Sequence, residues 1–129
     1  MLDTPREFMS PLDQVSDLQA TDPVPTGSSV IESRAALVAT ANLIRLLDSP
    51  IRIHIILSLY ERPHYVHELV SVIGNSQPLI SQHLKVLKDS GIVSATRNGR
   101  QMTYCLSAPP VIDVIRAAHE ASSYSQEQQ

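Results

Sequence analysis

The chain has a single cysteine, Cys105, so no disulfide can form within it, as expected of a protein from a reducing compartment. Long apolar runs are missing too. The most hydrophobic stretches are broken by Arg45, Arg52 and His54, which leads us to expect no membrane span, no secretory signal and a cytoplasmic location. There is no glycine-rich phosphate loop, nucleophile elbow or paired-carboxylate arrangement, and Cys105 has no base near it in sequence, so an enzyme is not expected. Internal repeats are absent. So is any excess of positive charge: the chain carries a net −3, with an isoelectric point near 5.9.

What the chain does contain suits one globular domain, since 43% hydrophobic and 18% charged residues argue against a fibre or a membrane protein. The charge is unevenly placed. Residues 1–33 hold six carboxylates against Arg6 alone, a net of −5, together with Pro5, Pro11, Pro23 and Pro25. We expect them to form an acidic, mostly disordered arm, although Leu12, Val15 and Leu18 are spaced for one helical turn. Residues 34–112 hold eight arginines and lysines against four carboxylates, a net of +4. The folded domain is expected over residues 34–121, followed by a frayed tail over 122–129.

Helical spacing predicts a first helix from Ala35 to Leu47, whose apolar residues spread over nearly its whole circumference and so call for more than one partner surface. Asp48-Ser49-Pro50 stops it and starts a second, Pro50 to Tyr60, expected to bury Ile53, Ile56, Leu57 and Tyr60. After the turn Glu61-Arg62-Pro63-His64, a short helix from Tyr65 to Ile73 closes on Gly74 and reaches the next through Gly74, Asn75 and Ser76. That fourth helix has Ile80, Leu84 and Leu87 inward, and Gln77, Ser81, Gln82, Lys85 and Lys88 outward. Ser76 is its N-cap, Pro78 lies in its first turn and Gly91 takes the left-handed position beyond its end.

Two helices joined by a three-residue, glycine-containing turn form a helix-turn-helix, whose second helix enters the major groove. Ile92 to Arg97 and Arg100 to Leu106 then flank Asn98-Gly99, a type I′ hairpin signal, with Met102, Tyr104 and Leu106 leaning on the helices. Arg97 and Arg100 are placed on either side of the turn to grip phosphates or enter the minor groove. A last helix, begun by Ser107 and Pro109-Pro110, carries Val111, Val114, Ile115, Ala118 and Ala121. The expected fold is mainly α with a β-hairpin wing, in the order α-α-α-α-β-β-α, homodimeric through its first and last helices.

On these residues the chain resembles the ArsR/SmtB family of bacterial repressors over about Ala35 to Glu120. The resemblance is carried by Val66-His67-Glu68-Leu69, by Ser76 through Lys88, by Gly91-Ile92-Val93, by the junction Leu47 to Arg52 and by the tip Arg97-Asn98-Gly99-Arg100. It implies a homodimer that binds double-stranded operator DNA and is released by an inducer, commonly zinc or another thiophilic metal. It also implies that Gln77, Ser81, Gln82 and His83 face the DNA. Gln and Ser suit base edges or phosphates, whereas Lys85 and Lys88 suit phosphates. For His83 a half-buried place against the wing is the other reading.

The inherited metal sites are not intact. Where the family has Cys-x-Cys, this chain has Tyr65 and His67; where it has Asp-x-His before the last helix, this chain has Ala108 and Pro110. Ligand types that remain are Asp113, His119 and Glu120 on the last helix, where two antiparallel copies would bring Asp113 toward His119, a set zinc accepts. His64 and His67 are the next candidates. A repressor answering a non-metal signal and a winged-helix protein-interaction module are the alternatives.

Overall fold

The computed structural model describes residue 31 and residues 33–127; the acidic arm and the Leu12, Val15, Leu18 turn lie outside the described residues. The chain divides into two compact units, one ending at Leu46 and the other beginning at Leu47. The described part of the first is a helix, α1 (Arg34–Leu46), capped by Ser33, whose Oγ accepts from the Ala36 amide at 3.0 Å. None of its residues is buried, and Ile44 is 57% exposed.

The second unit runs α2 (Pro50–Glu61), β1 (His64–Tyr65), α3 (Val66–Ile73), α4 (Gln77–Asp89), β2 (Val93–Asn98), β3 (Gln101–Leu106) and α5 (Val111–Glu127). Its core draws on most of these elements: Ile55, Ile56 and Leu59 of α2, Leu69 of α3, Ile80, Leu84 and Leu87 of α4, then Ile92, Val93, Val111 and Ile112. The three strands form one antiparallel sheet in the order β1-β3-β2. No helix among the described residues is long and apolar enough to cross a membrane.

Several expectations are corrected. β1 was not foreseen: His64 pairs with Tyr104 and Tyr65 with Thr103, so the turn into the helix-turn-helix is also the third strand of the sheet. A two-residue strand is too short to show a period. It makes β3 the central strand, and Met102 to Leu106 are all half-buried instead of alternating. In the hairpin Asn98 pairs with Gln101, so the loop residues are Gly99 and Arg100. The positive φ of 70° falls on Gly99, the first loop residue, where the primed hairpin turns require it.

The buried face of α2 is also rotated from the expected one. Ile55, Ile56, Ser58 and Leu59 are buried, while Leu57 and Tyr60 are exposed. With apolar side chains on almost every side, the period of this helix does not select a face. The Tyr60 ring is instead partly covered by the Arg116 guanidinium of α5, 5.8 Å from its centroid. Finally, α5 starts at Val111, not at Ser107, and continues to Glu127, through most of the expected tail.

Candidate nucleic-acid interface

α4 is bounded as its sequence requires. Ser76 Oγ accepts from the Leu79 amide at 3.4 Å, and proline lies in the first turn. At the other end the Ile92 amide donates to the Leu87 carbonyl (3.0 Å) and the Gly91 amide to that of Lys88 (3.1 Å). These are the two bonds of a Schellman stop, with Ile92 and Leu87 both buried beneath it. Between the caps, Ile80, Leu84 and Leu87 are buried, whereas Gln77, Ser81, Gln82, Lys85 and Lys88 are all exposed.

The preceding helix is fixed just as locally. Glu68 Oε1 accepts from the Tyr65 amide at 2.8 Å and its other oxygen meets Arg62 at 3.2 Å, so the α3 N-terminus is capped and its carboxyl is held below the usual carboxylate value. Gly74 ends α3 with φ 80° and ψ 34°, its amide donating to Val70 at 2.9 Å. Only three residues then separate α3 from α4, which sets the two helices as a helix-turn-helix pair.

His83 is half-buried on α4, against Arg52 of α2. Its Nδ1 accepts from Arg52 Nε at 3.2 Å. Burial first, and then the Arg52 charge, lower its pKa from the ordinary histidine value. Lys85 is not an isolated cation: its Nζ lies 2.9 Å from Asp89 Oδ2 one turn on, which raises its pKa. Arg97, paired with Met102 in the ladder, and Arg100, inside the loop, are both exposed at the wing tip. Asn98 Nδ2 donates to Tyr65 Oη at 3.4 Å and links that tip to the start of α3.

Arg52 and Asp89 are the residues that sequence reasoning missed here. The Lys85/Asp89 pair has the i, i+4 spacing of a helical ion pair and was legible. Arg52 and His83 are 31 positions apart, and no local signal joins them.

Among the described residues no three of the types His, Cys, Asp and Glu are brought together to hold a metal ion. At the family's Cys-x-Cys positions the Tyr65 ring stacks on His67 with centroids 5.5 Å apart. Ala108 and Pro110 offer no side-chain donor, so the residues present do not fit either inherited metal site. His64 is 4% exposed, and its Nδ1 donates to the Arg62 carbonyl at 2.8 Å. Asp113 meets Arg116 at 3.3 Å, and His119 and Glu120 are exposed. Asp113 and His119 are six positions apart on one helix, about 9 Å along its axis, so a single chain cannot close them on one ion.

An exposed polar helix behind a glycine turn, flanked by an arginine-tipped hairpin, defines a winged helix-turn-helix DNA-binding protein. Residues 49–95 match the model of the bacterial regulatory protein, arsR family. The chain is 44% identical over 91 residues to the HTH-type transcriptional repressor SmtB of Mycobacterium tuberculosis, covering 67% of each. It is 38% identical over 89 residues to the biofilm growth-associated repressor of Xylella fastidiosa, covering 69% of this chain and 76% of the relative. The crystal structure of M. tuberculosis Rv0081 superposes with a TM-score of 0.61 at 32% identity, over 69% of this chain and 90% of that one. The chain belongs to the ArsR family of bacterial transcription regulators.

Proposed function

We infer that this protein is a sequence-specific transcriptional repressor that binds operator DNA as a homodimer in the cytoplasm and has no catalytic role. The observation that carries the reading is the outward row of α4, where five polar or basic side chains are exposed on a helix whose opposite side is fully buried. Gln77, Ser81 and Gln82 have the donors and acceptors to read base edges; Lys85, Lys88, Arg97 and Arg100 have the charge to hold phosphates. The repressors named among its relatives support the same conclusion.

Two copies are needed because a net of +4 over residues 34–112 binds a polyanion only weakly. The helices available for pairing are α1, which buries none of its residues, and α5, where Ala117, Ala118, Ala121 and Tyr124 are exposed. Pairing there would set two α4 helices on successive major-groove faces.

The test is binding to a duplex that the wild-type protein selects from a random pool. A Gln82→Ala, Lys85→Ala double variant should keep its thermal stability and lose most of its affinity. Unchanged affinity overturns the reading, and affinity that ignores salt would favour a protein partner over DNA.

The release signal is a separate matter. With both inherited metal sites lost, a metal response in this chain would need Asp113 of one copy beside His119 of the other, with Glu120 next to it. Zinc added to the protein–DNA complex decides between them. A loss of affinity that His119→Ala abolishes supports the metal, and indifference to zinc leaves a repressor answering a non-metal signal.

A further inference from the structure

The contact between α2 and α4 does more than pack two helices. An arginine side chain carries only donors, so Arg52 Nε at 3.2 Å from His83 Nδ1 requires that nitrogen to be unprotonated. The proton of the neutral ring must then be on Nε2. Charging the imidazole would place a proton on Nδ1 directly against the guanidinium, and both burial and that charge oppose it. The elements packed against α4 present Arg52, His54, Tyr60 and Glu61 on α2, His67 and Glu68 on α3, and Arg97 on β2. Of these, Arg52 is the group whose charge acts on the ring.

His83 directly follows Ser81 and Gln82 on the helix that carries the exposed polar row. Its ring is half-buried, so its orientation is set from the protein side. We propose that Arg52 is a positioning residue for operator recognition: it fixes His83 as the neutral Nε2–H tautomer, so that the recognition helix presents an N–H donor there and keeps its rotation against α2. An N–H donor suits a phosphate oxygen or the O6 and N7 acceptors of guanine, and cannot serve an amino group. This inference rests on α4 being the helix that meets DNA, but its first readout does not involve DNA.

That readout is the long-range ¹⁵N–¹H spectrum of the histidines in the DNA-free full-length protein, with the His83 signals assigned by their loss in His83→Gln. The wild type should show protonated Nε2 and bare Nδ1 at neutral pH, with a titration midpoint below the ordinary 6.5. Arg52→Met keeps a long apolar stem while removing the donor; it should give mixed tautomers and a midpoint moved back up. Arg52→Lys, which restores a donor, should recover part of the wild-type pattern and controls for loss of packing. On the selected duplex, Arg52→Met should weaken binding by about tenfold, the scale of one hydrogen bond.

His83→Gln, with a carbonyl oxygen for Arg52 and an amide N–H outward, should bind less tightly than wild type but keep more of its affinity than a side chain with no donor. His83→Leu should not bind nearly as well. A wild-type His83 protonated on Nδ1, or an Arg52→Met protein with unchanged tautomer and pH profile, overturns the proposal. Failure of the wild-type protein to select any duplex would overturn the repressor reading and leave the tautomer result standing by itself.

Discussion

At the scale of single residues, one cation on the face proposed to meet DNA is balanced against a neighbour. The Lys85 ammonium is shared with Asp89, an exposed pair of little value to stability but close to where phosphates would be met. Asp89→Asn should release that cation and remove a repulsive carboxylate. Affinity for the selected duplex is expected to rise several-fold, with a log–log salt slope steeper by about one, in a fluorescence titration at varied salt. Titrating groups add a pH dependence. The Glu68 carboxyl binds its proton less readily in the folded chain because the Tyr65 amide and Arg62 hold its anion. The stabilisation this gives is therefore present above pH 4.5 and is lost as pH falls below it. Melting temperatures of Glu68→Gln, followed by circular dichroism, should fall less steeply than those of wild type below that pH. His83 acts in the same direction with its loss beginning below pH 6.5, so the two windows are separable.

At the scale of elements, the helix-turn-helix depends on one backbone conformation. Gly74 has φ 80°, and a Cβ added there would meet nothing within 4 Å, so Gly74→Ala costs backbone strain alone. Chemical denaturation should report a loss of about 1 kcal/mol with the fold intact. This part of the chain was readable from the start. Ser76, Pro78, Gly91 and the Ile80, Leu84, Leu87 row are local signals spaced within one helix, and the structure places each where its chemistry requires. β1 was not readable, because its only evidence is the pairing of His64 and Tyr65 with residues about forty positions away. The buried side of α2 was misjudged for a different reason: a helix apolar almost all round carries no preference until its neighbours are in place. The loop residues Gly99 and Arg100 differ by one position from Asn98-Gly99, since glycine can serve as first or second residue of a two-residue turn.

At the scale of the whole molecule, the proposed function depends on association. Ala118 lies on the exposed part of α5 that we assign to pairing, so Ala118→Glu places a charge in the proposed seam. Sedimentation should show the variant as a monomer. Its affinity for a duplex with two half-sites should fall by about a hundredfold, while binding to a single half-site stays close to that of wild type. A variant that stays dimeric would move the interface elsewhere. The exposed polar row of α4 that we propose reads DNA was largely legible in the sequence because it lies on one side of a periodic helix. The Arg52 contact behind it was not, because it joins two helices that are distant in the chain.

The pairing of β1 with β3 also bears on how the protein is made. His64 leaves the ribosome well ahead of its partner Tyr104. At roughly 5–20 residues per second, synthesis therefore leaves the sheet without its central strand for a few seconds after β1 has been translated. Throughout that interval the helices that pack on β3 have exposed apolar surface and no sheet to bury it. The length of that wait is set by elongation through the codons of the wing, downstream of the helices that need the sheet.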